Sequence, residues 1–205
     1  MRNLNRFLIL AALTVSSASC GDALRQSRSP SLLVVNLLQA SPTGGRGANN
    51  FVGTLFSDVQ VLLTTPAPCT VTAPCPTVFN DNGQATLSLA PKNTLVAPSS
   101  NNSVTITRYT VTYRRNDGRN IPGVDVPYPI DGAVTITVSG TATSSVSFEL
   151  VRHVAKQESP LVQLITNPNI ISTVADITFY GKDLVGNEIS VTGSITIEFG
   201  NFGDQ

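Results

Sequence analysis

Residues 177–199 of the 205-residue chain read ITFYGKDLVGNEISVTGSITIEF. Apolar and hydroxyl-bearing side chains alternate on both sides of a polar cluster that contains Asp183, Gly186 and Asn187. Period-two alternation is typical of a strand with one buried face. Gly, Asn and Asp tolerate the positive φ angles of a tight turn. The stretch therefore predicts a β-hairpin whose turn lies at Gly186-Asn187.

The same alternation recurs earlier in the chain. Its apolar positions form three sets: Ala85, Leu87 and Leu89; Val134, Ile136 and Val138; Val146, Phe148 and Leu150. Leu32 to Gln39 reads as a buried strand or a short helix, and Phe51 to Leu63 as one or two strands. No stretch has a sustained helical period with caps. The pattern predicts an all-β, antiparallel β-sandwich.

The alternation changes phase inside residues 103–115. Val104 and Ile106 share one phase, whereas Tyr109 and Val111 share the other. An extra residue in one strand produces such a slip. We expect a β-bulge or a short kink near Arg108-Tyr109.

Turns are predicted where Gly follows Asn or Asp, at Asn82-Gly83, Asp117-Gly118 and Asp131-Gly132. A turn-rich cluster at 94–102 leaves open a separate subdomain in the first half of the chain. The chain shows no internal repeat, so we expect one domain over residues 31–205.

Residues 179–188, FYGKDLVGNE, resemble a signature near the end of bacterial immunoglobulin-like domains. In that family the signature lies at the hairpin of the last two strands. The resemblance implies an immunoglobulin-like β-sandwich. The segment 31–205 is longer than one such module, and a disulfide loop is not part of the family pattern.

The first 19 residues predict a secretory signal peptide. Arg2 and Arg6 precede an apolar run, Phe7–Val15, and small residues follow at 16–19. This run is shorter than the roughly 20 residues that span a bilayer. We expect no transmembrane helix after processing.

Ala18-Ser19-Cys20 resembles the lipobox of bacterial lipoproteins. The resemblance implies that Cys20 carries lipid chains and that the protein is anchored in the cell envelope. Residues 21–30 are polar, small and aperiodic, so residues 20–30 are expected to form the lipidated Cys and a flexible tether. Gly21 is compatible with an outer membrane, if one is present. Ser17 stands where the family usually has an aliphatic residue, so ordinary cleavage and secretion remain an alternative.

Removing residues 1–19 leaves 11 basic and 13 acidic residues, a formal charge of −2. The membrane contact should therefore be the lipid alone. Zero net charge in the full chain and the lack of a Lys/Arg block exclude an electrostatic nucleic-acid binder.

The chain has three cysteines, an odd number for an exported protein. Lipidation accounts for Cys20. Cys69 and Cys75 lie six positions apart and predict a structural disulfide. Metal binding or redox chemistry is the alternative, but the spacing is neither that of common metal sites nor that of a C-x-x-C motif.

Few residues predict chemistry. His153 is the only histidine and is expected at the surface or at a strand end. Gly44–Gly47 lacks the order of a phosphate-binding loop. The acids are scattered, mostly in predicted turns: Asp81, Asp117, Asp125, Asp131 and Asp183. We expect no enzyme activity. The alternative is a polysaccharide-active hydrolase or its accessory domain, which needs two carboxylates in one cleft beside an exposed Tyr.

No cofactor is expected. Asp183 and Asn187 form a weak calcium candidate because Ca²⁺ takes oxygen ligands. The alternative is that both side chains hydrogen-bond the turn.

The sequence favours a non-catalytic module that contacts an envelope or surface protein through loops. The candidate contact surfaces are the Cys69–Cys75 loop and residues 124–129, Val-Asp-Val-Pro-Tyr-Pro. A structural subunit that polymerises by strand exchange is a further alternative.

Overall fold

The computed structural model describes residues 28–42, 50–95, 97, 99, 101–140 and 142–203. The predicted signal peptide, Cys20 and the Gly44–Gly47 loop lie outside these residues. The described strands are β1 (Ser31–Pro42), β2 (Thr54–Asp58), β3 (Val61–Leu63), β4 (Cys75–Thr77), β5 (Asp81–Pro91), β6 (Val104–Arg114), β7 (Ile130–Val138), β8 (Ser144–Val151), β9 (Ile171–Asp183) and β10 (Glu188–Gly200). A short helix α1 (His153–Lys156) and a 3-10 helix (Leu161–Ile165) lie between β8 and β9.

The strands form two main sheets, so the all-β prediction is confirmed. The smaller sheet has the order β1-β5-β8 and the larger one β2-β10-β9-β6-β7, while β3 and β4 form a separate hairpin. All pairs are antiparallel except β2 and β10, which run parallel. The larger sheet is therefore mixed, a detail that the alternation did not predict.

Both sheets contribute their inward side chains to one core. Phe148 of the smaller sheet packs edge-to-face on Phe179 of the larger one, with ring centroids 5.4 Å apart. The Tyr109 ring also packs against Phe148, with ring centroids 5.2 Å apart. Aromatic pairs prefer such tilted arrangements. The predicted apolar positions of β5 and β8 are buried, as the period-two pattern requires.

The phase slip in β6 is a β-bulge. Register shifts between Ile106 and Arg108 against both neighbouring strands, β7 and β9. The bulge returns Tyr109 to the core side, so Val104, Ile106 and Tyr109 are all buried. One strand therefore keeps apolar side chains inward on both sides of the slip.

Two of the predicted turns are wrong. Asn82-Gly83 lies inside β5 and Asp131-Gly132 inside β7. Gly83 of β5 lies opposite Phe148 of the neighbouring strand β8, and Gly132 of β7 lies opposite Tyr109 of β6. Each aromatic ring covers its glycine so closely that an added Cβ would collide with it. These glycines make room for rings of the core, which is a second reason for glycine in a strand.

The other two glycine turns are confirmed. Gly118 and Gly186 have φ angles of +82° and +92°, a backbone conformation that residues other than glycine rarely adopt. Each lies in the loop of a hairpin of the larger sheet, between β6 and β7 and between β9 and β10 respectively.

The sandwich has two distinct ends. At the end called proximal here, β1 begins at Ser31, β6 begins at Val104 and β9 ends at Asp183, and residues of these three regions line one small cleft. At the opposite, distal end, β6 ends at Arg114 and β8 at Val151. β6 has 11 residues, which corresponds to about 36 Å between the ends at 3.3 Å per residue.

Candidate functional site

Both loops predicted as contact surfaces lie at the distal end. The β3–β4 hairpin follows the distal end of β2 and precedes the distal end of β5. The loop that holds residues 124–129 connects β6 to β7 at the same end. The β8–β9 connection, with α1 and the 3-10 helix, lies there too. The distal end therefore combines three long connections between strands.

The Cys69–Cys75 loop is closed by a disulfide, with the two Cα atoms 5.3 Å apart. The bonded sulfurs exclude metal binding by these thiolates in this state. Inside the loop, Thr70 and Ala73 exchange backbone hydrogen bonds of 3.1 and 3.2 Å. Between them, Val71 is 84% exposed. The disulfide and the two backbone hydrogen bonds therefore hold the loop closed, with the apolar side chain of Val71 exposed to solvent.

Residues 124–129 are held by two buried residues, Val126 and Pro127. Val126 lies in the core, while Val124 and Tyr128 are exposed. Gly123 has a φ of +77° and donates its backbone N–H to the Val126 carbonyl at 2.8 Å. The Tyr128 ring covers the position that a side chain of Gly123 would need. The segment is therefore a shaped surface with Val124 and Tyr128 facing outward.

The start of the same loop is fixed by one aspartate. Arg115 and Arg119 donate hydrogen bonds to the Asp117 carboxylate, at 2.6 and 2.8 Å for their closest atoms. These two guanidinium groups hold the pKa of Asp117 far below its usual range. Asn120 adds an acceptor for the Arg115 backbone N–H at 2.6 Å. This Arg–Asp cluster fixes the loop by charge-assisted hydrogen bonds.

A buried ion pair lies beneath the distal loops. Lys156 Nζ is 2.8 Å from Asp81 Oδ2, and both side chains are only 1% exposed. Ser57 Oγ donates a hydrogen bond of 2.6 Å to the same Asp81 oxygen. The three residues belong to α1, β5 and β2, so the pair joins the β8–β9 connection to both sheets.

Sequence reasoning missed this ion pair. Asp81 was expected in a turn, but it is the first residue of β5 and is buried. Nothing near Lys156 distinguishes it from a surface lysine, because α1 has only four residues. The sequence carried no signal for a buried Asp81, because Asp81 precedes the predicted turn at Asn82-Gly83.

Two tyrosines connect the sheets through their hydroxyl groups. Tyr113 donates to the Leu150 carbonyl at 2.6 Å, and Tyr109 donates to the Glu149 carbonyl at 3.2 Å. Burial raises the pKa of both phenols above the ordinary value, so both stay protonated at neutral pH. Both rings pack in the core.

Asp183 and Asn187 bind each other and the hairpin turn. Asp183 Oδ1 accepts the backbone N–H groups of Val185 and Asn187, at 3.0 and 2.8 Å. Oδ2 accepts the Asn187 side-chain amide at 2.8 Å. Burial raises the pKa of Asp183, but these hydrogen bonds outweigh it and the pKa is lowered overall. These contacts are the ones expected if Asp183 and Asn187 hydrogen-bond the turn, which was the alternative to a calcium site.

Several exposed carboxylates are bound to arginines. Arg108 Nη2 lies 2.5 Å from Asp131, and Arg114 Nε lies 2.6 Å from Asp176. Asp131 was expected in a turn and instead lies in β7. His153 is exposed at the start of α1. An arginine on a carboxylate stabilises its ionised form, which is unsuited to a general acid.

Within the described ranges, no three His, Cys, Asp or Glu side chains cluster as a metal site. In the same part of the chain, no helix has the length and hydrophobicity needed to cross a membrane. No protein family, curated protein or solved structure matches this chain.

Proposed function

We propose that this protein is a non-catalytic cell-envelope lipoprotein. In this proposal Cys20 carries the lipid, and an immunoglobulin-like sandwich presents its distal loops to an envelope or surface protein. The supporting observation is the placement of the two ends. The chain that follows Cys20 reaches the sandwich at the proximal end, at Ser31, while the Cys69–Cys75 loop and residues 124–129 lie at the other end.

The exposed apolar side chains of the distal end support a binding role. Val71, Val124 and Tyr128 project from loops that are closed by a disulfide or seated by a buried residue. Binding to prearranged loops loses little conformational freedom, and aromatic side chains are enriched in protein interfaces.

The test of the anchor compares wild type with Cys20→Ala in intact cells. Wild type is expected in the membrane fraction, and Cys20→Ala is expected in the soluble or secreted fraction. The double variant Cys69→Ala/Cys75→Ala controls for the loss of cysteine and should stay with the membrane. If Cys20→Ala is retained as firmly as wild type, the lipoprotein proposal is wrong.

The test of the distal surface places a photo-crosslinking residue at Val71 or Val124, with Thr135 as the control. Thr135 is exposed on the outer face of β7, away from the distal loops. We expect a discrete adduct from Val71 and Val124 and none from Thr135. Equal adducts from all three positions would contradict a specific distal contact.

A further inference from the structure

Three apolar side chains project from the proximal end. Leu184 and Val185 are 65% and 87% exposed at the tip of the β9–β10 hairpin, and Leu95 is 94% exposed after β5. Single exposed apolar residues are common, but a group of them at loop tips indicates a contact with another apolar phase.

The hairpin tip is rigid. Gly186 donates its N–H to the Asp183 carbonyl at 3.0 Å, and Asp183 donates its own N–H to the Asn187 carbonyl at the same distance. The Asp183 carboxylate also binds the Val185 and Asn187 N–H groups. With the backbone fixed, Leu184 and Val185 are held outward. The backbone of the tip therefore loses little conformational freedom when Leu184 and Val185 enter an apolar environment.

The tips lie beside the point where the chain from Cys20 arrives. Ser29 and Pro30 line the same small cleft as Leu184 and Val185. Lys92 donates its backbone N–H to the Pro30 carbonyl at 3.0 Å, which places the segment leading to Leu95 there too. Seven residues separate Cys20 from Arg28, so the link reaches about 28 Å at full extension.

We infer that Leu184, Val185 and Leu95 insert into the bilayer interface beside the lipid anchor. This inference rests on the proposed function, because the anchor sets which end faces the membrane. The exposed ammonium group of Lys182 lies at the same end and faces anionic headgroups, with Glu188 4.0 Å away. The sandwich then stands on the membrane with its distal loops directed away from it.

The experiment places a single environment-sensitive fluorophore on a new cysteine. Leu184→Cys and Val185→Cys report the proximal tips, and Val71→Cys and Val124→Cys are the matched exposed controls. Each full-length, processed protein is purified from membranes and reconstituted in phosphatidylethanolamine–phosphatidylglycerol vesicles, with and without brominated lipid. Wild type controls the labelling, since an acylated Cys20 and the disulfide-bonded pair take no thiol reagent.

We expect a blue-shifted emission and quenching by brominated lipid for the Leu184 and Val185 probes. Their depth should be roughly 5–10 Å into the headgroup boundary. The Val71 and Val124 probes should show neither effect. A Leu184→Asp/Val185→Asp background should remove the quenching of a probe at Leu95→Cys while the protein stays in the vesicles.

The outcomes separate the two proposals. If the protein is acylated and vesicle-bound but the Leu184 and Val185 probes are unquenched, the bilayer contact is wrong and the anchor stands. If wild type takes label at Cys20, the anchor is wrong. In that case quenching at Leu184 would support the contact without an anchor, and lack of vesicle binding would overturn both.

Discussion

Asp81 and Asp131 both lie at the distal end of the sandwich, Asp81 in the smaller sheet and Asp131 in the larger one. Each forms an ion pair with a basic side chain. Asp81 meets Lys156 at 2.8 Å with both side chains 1% exposed. Asp131 meets Arg108 at 2.5 Å with the side chains 60% and 52% exposed. The exposed pair has the shorter distance. The difference teaches that burial, more than distance, decides how much stability is lost when one partner of an ion pair is removed.

The largest effect should come from breaking the buried pair. Lys156→Ala leaves the Asp81 carboxylate in the core without its cation, and the expected loss in the free energy of unfolding is about 3–5 kcal/mol. Urea denaturation followed by circular dichroism measures it.

A double variant sharpens this result. Asp81→Leu/Lys156→Met removes both charges and should recover much of the loss, because no uncompensated charge remains buried. If Lys156→Ala alone unfolds at the wild-type urea concentration, the buried ion pair does not stabilise the junction of the β8–β9 connection with the two sheets.

The next largest effect concerns the two strand glycines under aromatic rings. Gly83→Ala and Gly132→Ala each force a methyl group against Phe148 or Tyr109, which cannot retreat because both rings are buried. We expect losses of about 1–3 kcal/mol for each variant in the same denaturation assay. Gly53→Ala is the control, since nothing lies within 4 Å of its added Cβ. Equal effects at all three glycines would contradict this packing.

A smaller effect should appear at alkaline pH. Burial raises the pKa of Tyr113 above its ordinary value of 10.0. The unfolded chain therefore releases the proton above pH 10 while the folded chain keeps it, so stability falls as pH rises through that range. Tyr113→Phe should flatten the pH dependence of the melting temperature between pH 9 and 12.

At neutral pH the same variant loses the hydrogen bond to Leu150, which costs about 0.5–1.5 kcal/mol. Tyr128→Phe, at an exposed loop position, is the matched control and should leave both properties unchanged. An unaltered alkaline slope in Tyr113→Phe would assign the pH dependence to another group.

The smallest change in stability is expected from breaking the exposed ion pair between Arg108 and Asp131. Arg108→Ala removes the cation from Asp131, and no change in the urea midpoint should be measurable, because water solvates the released carboxylate. Since that carboxylate loses its arginine, the pKa of Asp131 should rise toward its ordinary value, as followed by carboxyl NMR shifts. A destabilisation comparable to that of Lys156→Ala would remove the distinction between the two pairs.

The strands of the second half were predictable because their side chains alternate. The β9–β10 hairpin and the bulge in β6 follow from the order of apolar residues alone, since each one-residue slip moves side chains to the other face. The Cys69–Cys75 disulfide was predictable from spacing and context. In these cases the cause is local in sequence, so the sequence displays it.

The remaining features depend on partners that are distant in sequence. Gly83 and Gly132 look like turn residues until the rings of Phe148 and Tyr109 are placed over them. Four strands, β5 to β8, separate Asp81 from Lys156 in the sequence, and only the packing of α1 brings them together. The parallel pairing of β2 with β10 has no local signature either. Such features arise from tertiary packing, which overrides local preference.

The position of β10 has a consequence for the order of assembly. β10 lies between β2 and β9 in the larger sheet, although it is the last of the described strands. A chain that enters a compartment N-terminus first can pair β1, β5 and β8 once residue 151 has emerged. β2 must wait for residues 196–200 before it gains its strand partner. The larger sheet is thus completed only when β10, the last of the described strands, becomes available for pairing.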